Sequence, residues 1–110
     1  MKQALQEQLF EEFPLLFKQR HLPKEESAMS WGIDCPDEWF EIIYKACELI
    51  QNYCNYDEVE QIEFIQVKEK FGHLRIYYKG FDPYINGVID MANKMVFKGF
   101  KFRQLQNEPS

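Results

Sequence analysis

The sequence predicts a small single α+β domain spanning residues 1–110, with helices packed on one face of an antiparallel β-hairpin or small sheet. Three observations support this prediction. Apolar residues recur at helical spacing in both halves of the chain, and two β-rich runs meet at Gly72 between them. The chain has 110 residues, of which 45% are apolar, and this length supports one hydrophobic core but not two domains.

Residues 1–20 are predicted to form an N-terminal helical segment. Apolar side chains recur every three or four residues from Leu5 to Leu16, which is the spacing of one helix face. Pro14 is expected to break this segment in two, because an interior proline removes a backbone hydrogen bond. Residues 21–30 have no apolar period and are predicted to be a loop.

A second helix is predicted over residues 36–54. Pro36 suits the first helical position, and Asp37 and Glu38 bring negative charge to the first turn, where backbone N–H groups are unpaired. Apolar side chains then repeat at steps of three and four as far as Cys54. These signals together predict a helix with one buried face.

Residues 60–80 are predicted to form a β-hairpin, because β-branched and aromatic residues fill two short runs on either side of Gly72. With Phe71 and Gly72 at the centre of the turn, the predicted pairs are Lys70 with His73, Glu69 with Leu74, Lys68 with Arg75, Val67 with Ile76, Gln66 with Tyr77, and Ile65 with Tyr78. Side chains alternate between the two faces of a strand. The predicted core face therefore collects Ile65, Val67, Leu74, Ile76 and Tyr78.

The last helix is predicted over residues 83–98, with Asp82 as its cap and a proline at its first position. Apolar residues continue at helical spacing until Gly99, a residue type that commonly ends a helix. Beyond it, residues 100–103 alternate apolar and basic side chains, which suggests an edge strand. Residues 104–110 are predicted to be a frayed tail.

The polar side of the hairpin is the strongest candidate for a functional site. We call it the basic face, and its predicted members are Phe64, Gln66, Lys68, Lys70, His73, Arg75, Tyr77 and Lys79. Residues 66–79 contain four cations against one acid, Glu69, a local charge of +3 in a chain of net charge −5. Lys68 and Arg75 are directly opposed, and like charges in that position destabilise a sheet unless a negative group is near. An anionic ligand, an acidic partner or internal carboxylates would each supply that group.

The predicted ligand-binding residues are Lys68, Lys70, His73, Arg75, Tyr77 and Trp31. Lysine and arginine bind phosphate, and arginine does so through two parallel hydrogen bonds. Aromatic rings offer flat surfaces on which a nucleobase stacks. The alternative interpretation is an ordinary solvated strand face, whose lysines guard against edge-to-edge aggregation.

Residues 31–39 hold two tryptophans around a predicted helix start. One interpretation is a rim for a ligand or partner, in which Trp31 stacks. The other is structural, with Trp39 in the core and Trp31 closing the loop over it. The acidic residues of this region are predicted to bind a protein partner in an alternative function, and they are Asp34, Asp37, Glu38 and Glu41.

The three cysteines are predicted to be reduced, because their number is odd and none lies in a C-x-x-C spacing. Cys35 lies near a predicted helix start, where a thiol pKa is lowered, so its position also suggests a reactive thiol. No metal site and no cofactor is predicted, since His21 and His73 belong to different elements. No nucleotide-binding or metalloprotease motif occurs, and the protein is predicted not to be an enzyme.

The N terminus is polar, and no run of about 18 apolar residues occurs, so we expect a cytoplasmic protein with no membrane partner. The net charge of −5 disfavours binding to duplex nucleic acid. An exposed hairpin edge is a surface through which two copies pair, so a homodimer is a further expectation.

Two stretches resemble a widespread group of short uncharacterised proteins of phages and prophages. They are W-G-I-D-C-P-D-E-W-F at residues 31–40 and Q-V-K-E-K-F-G-H-L-R-I-Y at residues 66–77. The resemblance extends from about Leu9 to Ala92 and implies a phage-like accessory role, but it implies no activity. It assigns to the defining motif of the group Lys68, Glu69, Lys70, Gly72 and Arg75. Members often end in paired cysteines, which residues 93–104 lack here, so no C-terminal zinc site is expected.

The leading functional prediction is a non-catalytic counter-defence or regulatory protein that binds a nucleotide-like anion through the basic face, in the cytoplasm of a bacterial host. The alternative is a protein inhibitor or immunity-like protein that engages a host enzyme through its acidic surface. An enzyme with Glu69 as base is the weakest hypothesis, because Glu69 points away from the basic face in the predicted register.

Overall fold

The computed structural model describes residues 1–99, which contain three α-helices and a two-stranded antiparallel sheet. The elements in chain order are α1 (Gln3–Glu12), α2 (Phe40–Tyr56), β1 (Phe64–Lys70), β2 (His73–Tyr78) and α3 (Pro83–Phe97). Short 3-10 turns lie between α1 and α2, at Lys18–His21, Ala28–Trp31 and Asp37–Trp39. This is the small α+β domain that the sequence predicts. The suggested edge strand over residues 100–103 and the tail over 104–110 lie outside the described residues.

The N-terminal helical segment is shorter than predicted, because α1 ends at Glu12. Pro14 explains this end, since proline disfavours the helical conformation of the residue before it and donates no hydrogen bond. The chain then turns, and a single 3-10 turn at Lys18–His21 is the only helical structure in the rest of the predicted 1–20 segment.

α2 begins later than predicted. Pro36 has an extended backbone with ψ of 148°, and the chain passes through the Asp37–Trp39 turn before α2 starts at Phe40. α2 then runs to Tyr56, two residues beyond the predicted end. α3 matches its prediction closely.

At the start of α3 the Asp82 carboxylate accepts hydrogen bonds from the N–H groups of Tyr84, at 2.9 Å, and Ile85, at 3.2 Å. These two bonds satisfy backbone donors that have no partner inside the helix. The cap therefore fixes where α3 begins, directly after the hairpin, and α3 packs against both β2 and α2.

The hydrophobic core lies between the hairpin and the helices. Its largest fully buried side chains are Phe17, Phe64, Leu9, Leu16, Met29, Ile43, Ile50, Leu74, Ile85, Val67 and Cys47. Phe17 packs edge-on against Phe64, with ring centroids 5.3 Å apart. Full burial of one such side chain contributes about 1.5–3 kcal/mol. The hairpin is thus held against α3 on one side and against the 3-10 turns of the N-terminal half on the other.

The predicted hairpin register is confirmed from Lys70 with His73 to Gln66 with Tyr77. The last predicted pair is wrong, because Phe64 pairs with Tyr78 across an irregularity at Ile65. This β-bulge reverses the alternation of side chains, so Phe64 leaves the basic face and becomes fully buried. A long-range hydrogen bond accompanies the bulge, in which the Phe64 N–H donates to the Leu16 carbonyl at 2.7 Å.

Both edges of the hairpin are partly occupied within the chain. Asp34 forms a parallel bridge on the outer side of β1, where its N–H donates to the Val67 carbonyl at 3.1 Å. The N–H of Glu69 donates to the Asp34 carbonyl at 2.7 Å. On β2, the N–H of Leu74 donates to Oδ1 of Asn93 at 2.9 Å. These bonds leave less free edge for pairing between two copies than the sequence suggests.

Candidate functional site

The turn of the hairpin presents an aromatic ring to solvent. Phe71 has φ of 54° and Gly72 has φ of 82°, which are the left-handed values of a type I′ turn. The Glu69 carboxylate accepts the Gly72 N–H at 2.6 Å and holds this turn. Phe71 is 88% exposed. A bulky residue in the left-handed region lowers the stability of the fold by about 1–2 kcal/mol, so the backbone conformation of Phe71 destabilises the protein.

The four cations of the basic face have no ion-pair partner within residues 1–99. Lys68 lies directly opposite Arg75, as predicted. Both are half-buried, whereas Lys70 and Lys79 are exposed. Two cations held opposite one another on neighbouring strands repel, and neither forms an ion pair within 4.0 Å with another described residue. The basic face therefore carries positive charges that no ion pair within residues 1–99 compensates.

The bridge to β1 also brings Asp34 onto this face. Residues paired in a bridge share one face of the sheet, so Asp34, Lys68 and Arg75 form a single row across it. The Asp34 side chain is exposed, and it makes no ion pair within 4.0 Å inside the described range. Glu63 lies opposite Lys79 by the same rule, since Phe64 pairs with Tyr78 and the Lys79 N–H donates to the Glu63 carbonyl at 3.0 Å. The face therefore carries four cations and two carboxylates. The internal carboxylates that the sequence left open are present, but they do not balance the charge.

The aromatic members of the predicted site differ in accessibility. Tyr77 is 45% exposed on the basic face and is free to stack on a ligand. His73 stacks on Phe97, with ring centroids 4.9 Å apart and planes 11° apart, so one side of the imidazole is covered. Its Nδ1 atom is buried and has no hydrogen-bond partner among the described residues. Tyr77 is thus the better stacking surface of the two.

Trp31 lies in the loop region rather than on the hairpin. Its ring is 72% exposed, and the cation above it is Nζ of Lys24, 4.4 Å from the ring centroid. The predicted structural role, closing the loop over the core, does not fit this exposure. The turn that contains Trp31 packs against β1, but the recorded contact of the ring itself is with Lys24.

The rest of the 31–39 stretch is used by the fold. Gly32 has φ of 90°, and a Cβ atom there would lie 2.5 Å from Oε1 of Gln6. That oxygen accepts the Ile33 N–H at 2.8 Å. Cys35 and Trp39 are buried, as the structural interpretation predicts for Trp39. The tryptophan-rich motif is therefore largely explained by packing and by the bond between α1 and this loop.

The four acidic residues predicted to bind a protein partner do not share one surface feature. Asp34 lies on the basic face, whereas the Asp37 carboxylate accepts the Lys2 backbone N–H at 2.7 Å and lies 3.9 Å from its Nζ. Glu38 is exposed, and Glu41 is half-buried in the first turn of α2. The inhibitor hypothesis stays a prediction.

The suggestion of a reactive Cys35 thiol is wrong. Burial raises the pKa of Cys35 to about 12, and the neighbouring Asp34 carboxylate adds to the rise. Burial also raises the pKa of Cys47. A protonated thiol is a poor nucleophile. All three cysteines are unpaired and buried, and they act as small apolar core residues.

Within residues 1–99, no group of three or more histidine, cysteine or acidic side chains is arranged to hold a metal ion. None of the helices in this part of the chain is long and apolar enough to cross a membrane.

Comparison with known proteins adds no assignment. No protein-family model matches the chain, and neither the curated proteins nor the solved structures include a significant match. The functional argument therefore rests on the basic face itself.

The main feature that sequence reasoning missed is the exposed Phe71 ring. The signal was present, because a two-residue turn whose second residue is glycine requires positive φ at both positions. A ring in that conformation points away from both strands. The second missed feature, Asp34 beside Lys68, has no local sequence signal, since the two residues are 34 positions apart.

Proposed function

We propose that this protein is a non-catalytic, phage-type accessory protein of the counter-defence or regulatory kind, which binds a nucleotide-like anion on its basic face. The observation that carries the proposal is the set of four cations, on one face of the hairpin, that lack an ion-pair partner among the described residues. A phosphorylated ligand supplies the missing negative charge.

The row formed by Lys68 and Arg75 is the centre of the proposed site. A phosphate between these two side chains converts their mutual repulsion into attraction and accepts two parallel hydrogen bonds from the guanidinium group. The half-buried stems of both residues restrict their rotamers, which reduces the entropy lost when the ligand binds. Tyr77 follows Arg75 on the same face and offers a ring to a base.

The wider context of the proposal has separate support. The phage-type role rests on the resemblance of residues 31–40 and 66–77. Three unpaired, buried cysteines are typical of a reducing compartment, which favours the cytoplasm of a bacterial host. A homodimer remains part of the proposal, through a surface other than the occupied hairpin edges.

The proposal is tested by isothermal titration calorimetry, in which ATP is added to the protein at about 50 mM salt. We expect Arg75→Ala to weaken binding by roughly tenfold or more, because a charge-assisted hydrogen bond contributes about 1.5–3 kcal/mol. Arg75→Lys keeps the charge but loses the bidentate geometry, so it should bind with intermediate affinity.

Lys18→Ala is the matched control, since Lys18 is exposed, has no ion pair in the described part, and follows Phe17, which packs on the core side of the hairpin and not on the basic face. It removes the same type of charge and should leave the affinity within about twofold of the original. Equal affinities in Arg75→Ala and Lys18→Ala would refute the proposal, as would a protein that binds no nucleotide. Far-ultraviolet circular dichroism of each variant checks that the fold is intact.

A further inference from the structure

We propose that the ligand of the basic face is single-stranded nucleic acid, held over several nucleotides, rather than one free nucleotide. This inference rests on the proposed function and specifies its ligand class. Three observations carry it: the distance over which the cations extend along the hairpin, the positions of two exposed rings, and the strained turn that contains one of them.

The cations extend further than one nucleotide reaches. Six residues separate His73, at the turn end of β2, from Lys79, just beyond the other end. At about 3.4 Å per residue this is a distance of roughly 20 Å. A stacked single strand advances about 3.4 Å per nucleotide, so the face has room for about six. A mononucleotide contacts only some of these cations.

The exposed rings lie at two separate positions. Phe71 is at the turn, and Tyr77 lies four residues beyond His73, roughly 13 Å further along the strand. One base cannot stack on both rings. From the turn outward, the hairpin carries the exposed Phe71 ring at its tip and then, on the basic face, Lys70, the row of Asp34, Lys68 and Arg75, the Tyr77 ring, and finally Lys79 opposite Glu63. Proteins that bind single strands combine such a cationic track with rings that accept successive bases.

The conformation of Phe71 supports a role outside the fold. The ring is 88% exposed and contributes little to the core, while its left-handed backbone opposes folding by about 1–2 kcal/mol. Asparagine would form the same turn with less strain. An exposed ring at a strained position is well placed to contact a base, because nothing in the described chain covers it.

An unpaired strand fits this face better than a duplex does. Exposed rings stack on bases only where the bases are not already stacked and paired within a double helix. A duplex also carries two charged strands, which the net charge of −5 and the Asp34 carboxylate repel more strongly. A single strand can run along the four cations and leave Asp34 at its side.

The test measures binding of fluorescein-labelled oligodeoxythymidines of two, four, six and twelve nucleotides to the full chain by fluorescence anisotropy. We expect affinity to rise steeply up to about six nucleotides and then only slightly. For the twelve-nucleotide probe, the logarithm of affinity should fall against the logarithm of salt with a slope of about −3, since about four phosphates are neutralised. Lys68→Ala should reduce that slope by about one.

Two ring variants test the stacking. Tyr77→Ala and Phe71→Asn should each weaken binding of the twelve-nucleotide probe by about fivefold or more. Phe71→Asn relaxes the turn, so its loss of affinity cannot be attributed to unfolding. Lys18→Ala serves again as the control and should bind normally.

Each outcome decides one part of the argument. If thymidine triphosphate binds as tightly as the twelve-nucleotide probe, the inference fails while the proposed function stands. If neither binds, both fail. Equal affinity for a duplex of the same length, or normal affinity in both ring variants, would also overturn the single-strand assignment.

Discussion

The two unusual stretches of this chain, residues 31–40 and 66–77, have different relations to the fold. In the first, almost every notable residue has a structural explanation. Gly32 leaves room for the Gln6 side chain, and Cys35 and Trp39 are buried in the core. In the second, only the apolar half is used for packing. Its cations and its turn aromatic have no partner in the described part of the chain. The comparison teaches that an unusual motif points to a ligand only for those residues that the fold leaves unexplained.

The largest effect that sharpens this comparison is expected within the hairpin itself. Phe64→Ala removes a fully buried ring that packs against Phe17, so it should lower the free energy of unfolding by about 3–5 kcal/mol. Tyr77→Ala, on the opposite face, should change it by less than about 0.5 kcal/mol. Urea unfolding followed by tryptophan fluorescence measures both. Similar losses for the two variants would show that the faces are not divided as described.

The next effect tests the structural explanation of the first stretch. Gly32→Ala places a Cβ atom 2.5 Å from Oε1 of Gln6 and forces a side chain into a φ of 90°. We expect it to lower the free energy of unfolding by about 2 kcal/mol. Gly87→Ala is the control, because Gly87 lies on the exposed side of α3 with open space around it and has no positive φ. That variant should be neutral or slightly stabilising. If Gly32→Ala were equally neutral, the stretch would need another explanation.

A smaller effect of opposite sign is expected at the turn. Phe71→Asn should raise the free energy of unfolding by about 1 kcal/mol, because asparagine tolerates the left-handed conformation that phenylalanine does not. Thermal unfolding followed by circular dichroism measures the change. A loss of stability would mean that the Phe71 ring packs against the protein, which would remove the argument for its availability to a ligand.

The smallest effect concerns the opposed charges. Lys68→Gln should stabilise the free protein by a few tenths of a kcal/mol, since it removes a cation that faces Arg75 directly. The gain should shrink as salt is added, because ions screen the repulsion. Chemical unfolding at low and high salt checks this. A destabilised Lys68→Gln would indicate that the cation is already neutralised in the free protein.

The local elements were predictable because their signals are local. The turn at Phe71 and Gly72 determines the pairing of the residues beside it, and Asp82 with the following proline determines the start of α3. Prediction fails where distant residues intervene. The bulge at Ile65 accompanies the hydrogen bond to the Leu16 carbonyl, and the late start of α2 accompanies the bridge that Asp34 makes with β1. Neither contact leaves a pattern in the neighbouring sequence.

The candidate site was predictable to the same degree. The cations of the basic face follow from strand alternation, so Lys68, Lys70 and Arg75 appear on one side as expected. Two features depended on tertiary structure, namely the arrival of Asp34 in their row and the stacking of His73 on Phe97. The alternative of a reactive Cys35 is disfavoured because burial raises the pKa of its thiol, which outweighs any effect of a nearby helix start.

The most direct test of the central claim is a nitrogen-15 NMR titration of the labelled protein with ATP, which detects weak binding residue by residue. The account predicts that the largest shift changes fall on the amides of residues 66–79, and above all beside Lys68, Arg75 and Tyr77, while those of α1 and of the first half of α2 stay in place. Shifts that centre on another surface, or a spectrum that does not change at millimolar ATP, would contradict it.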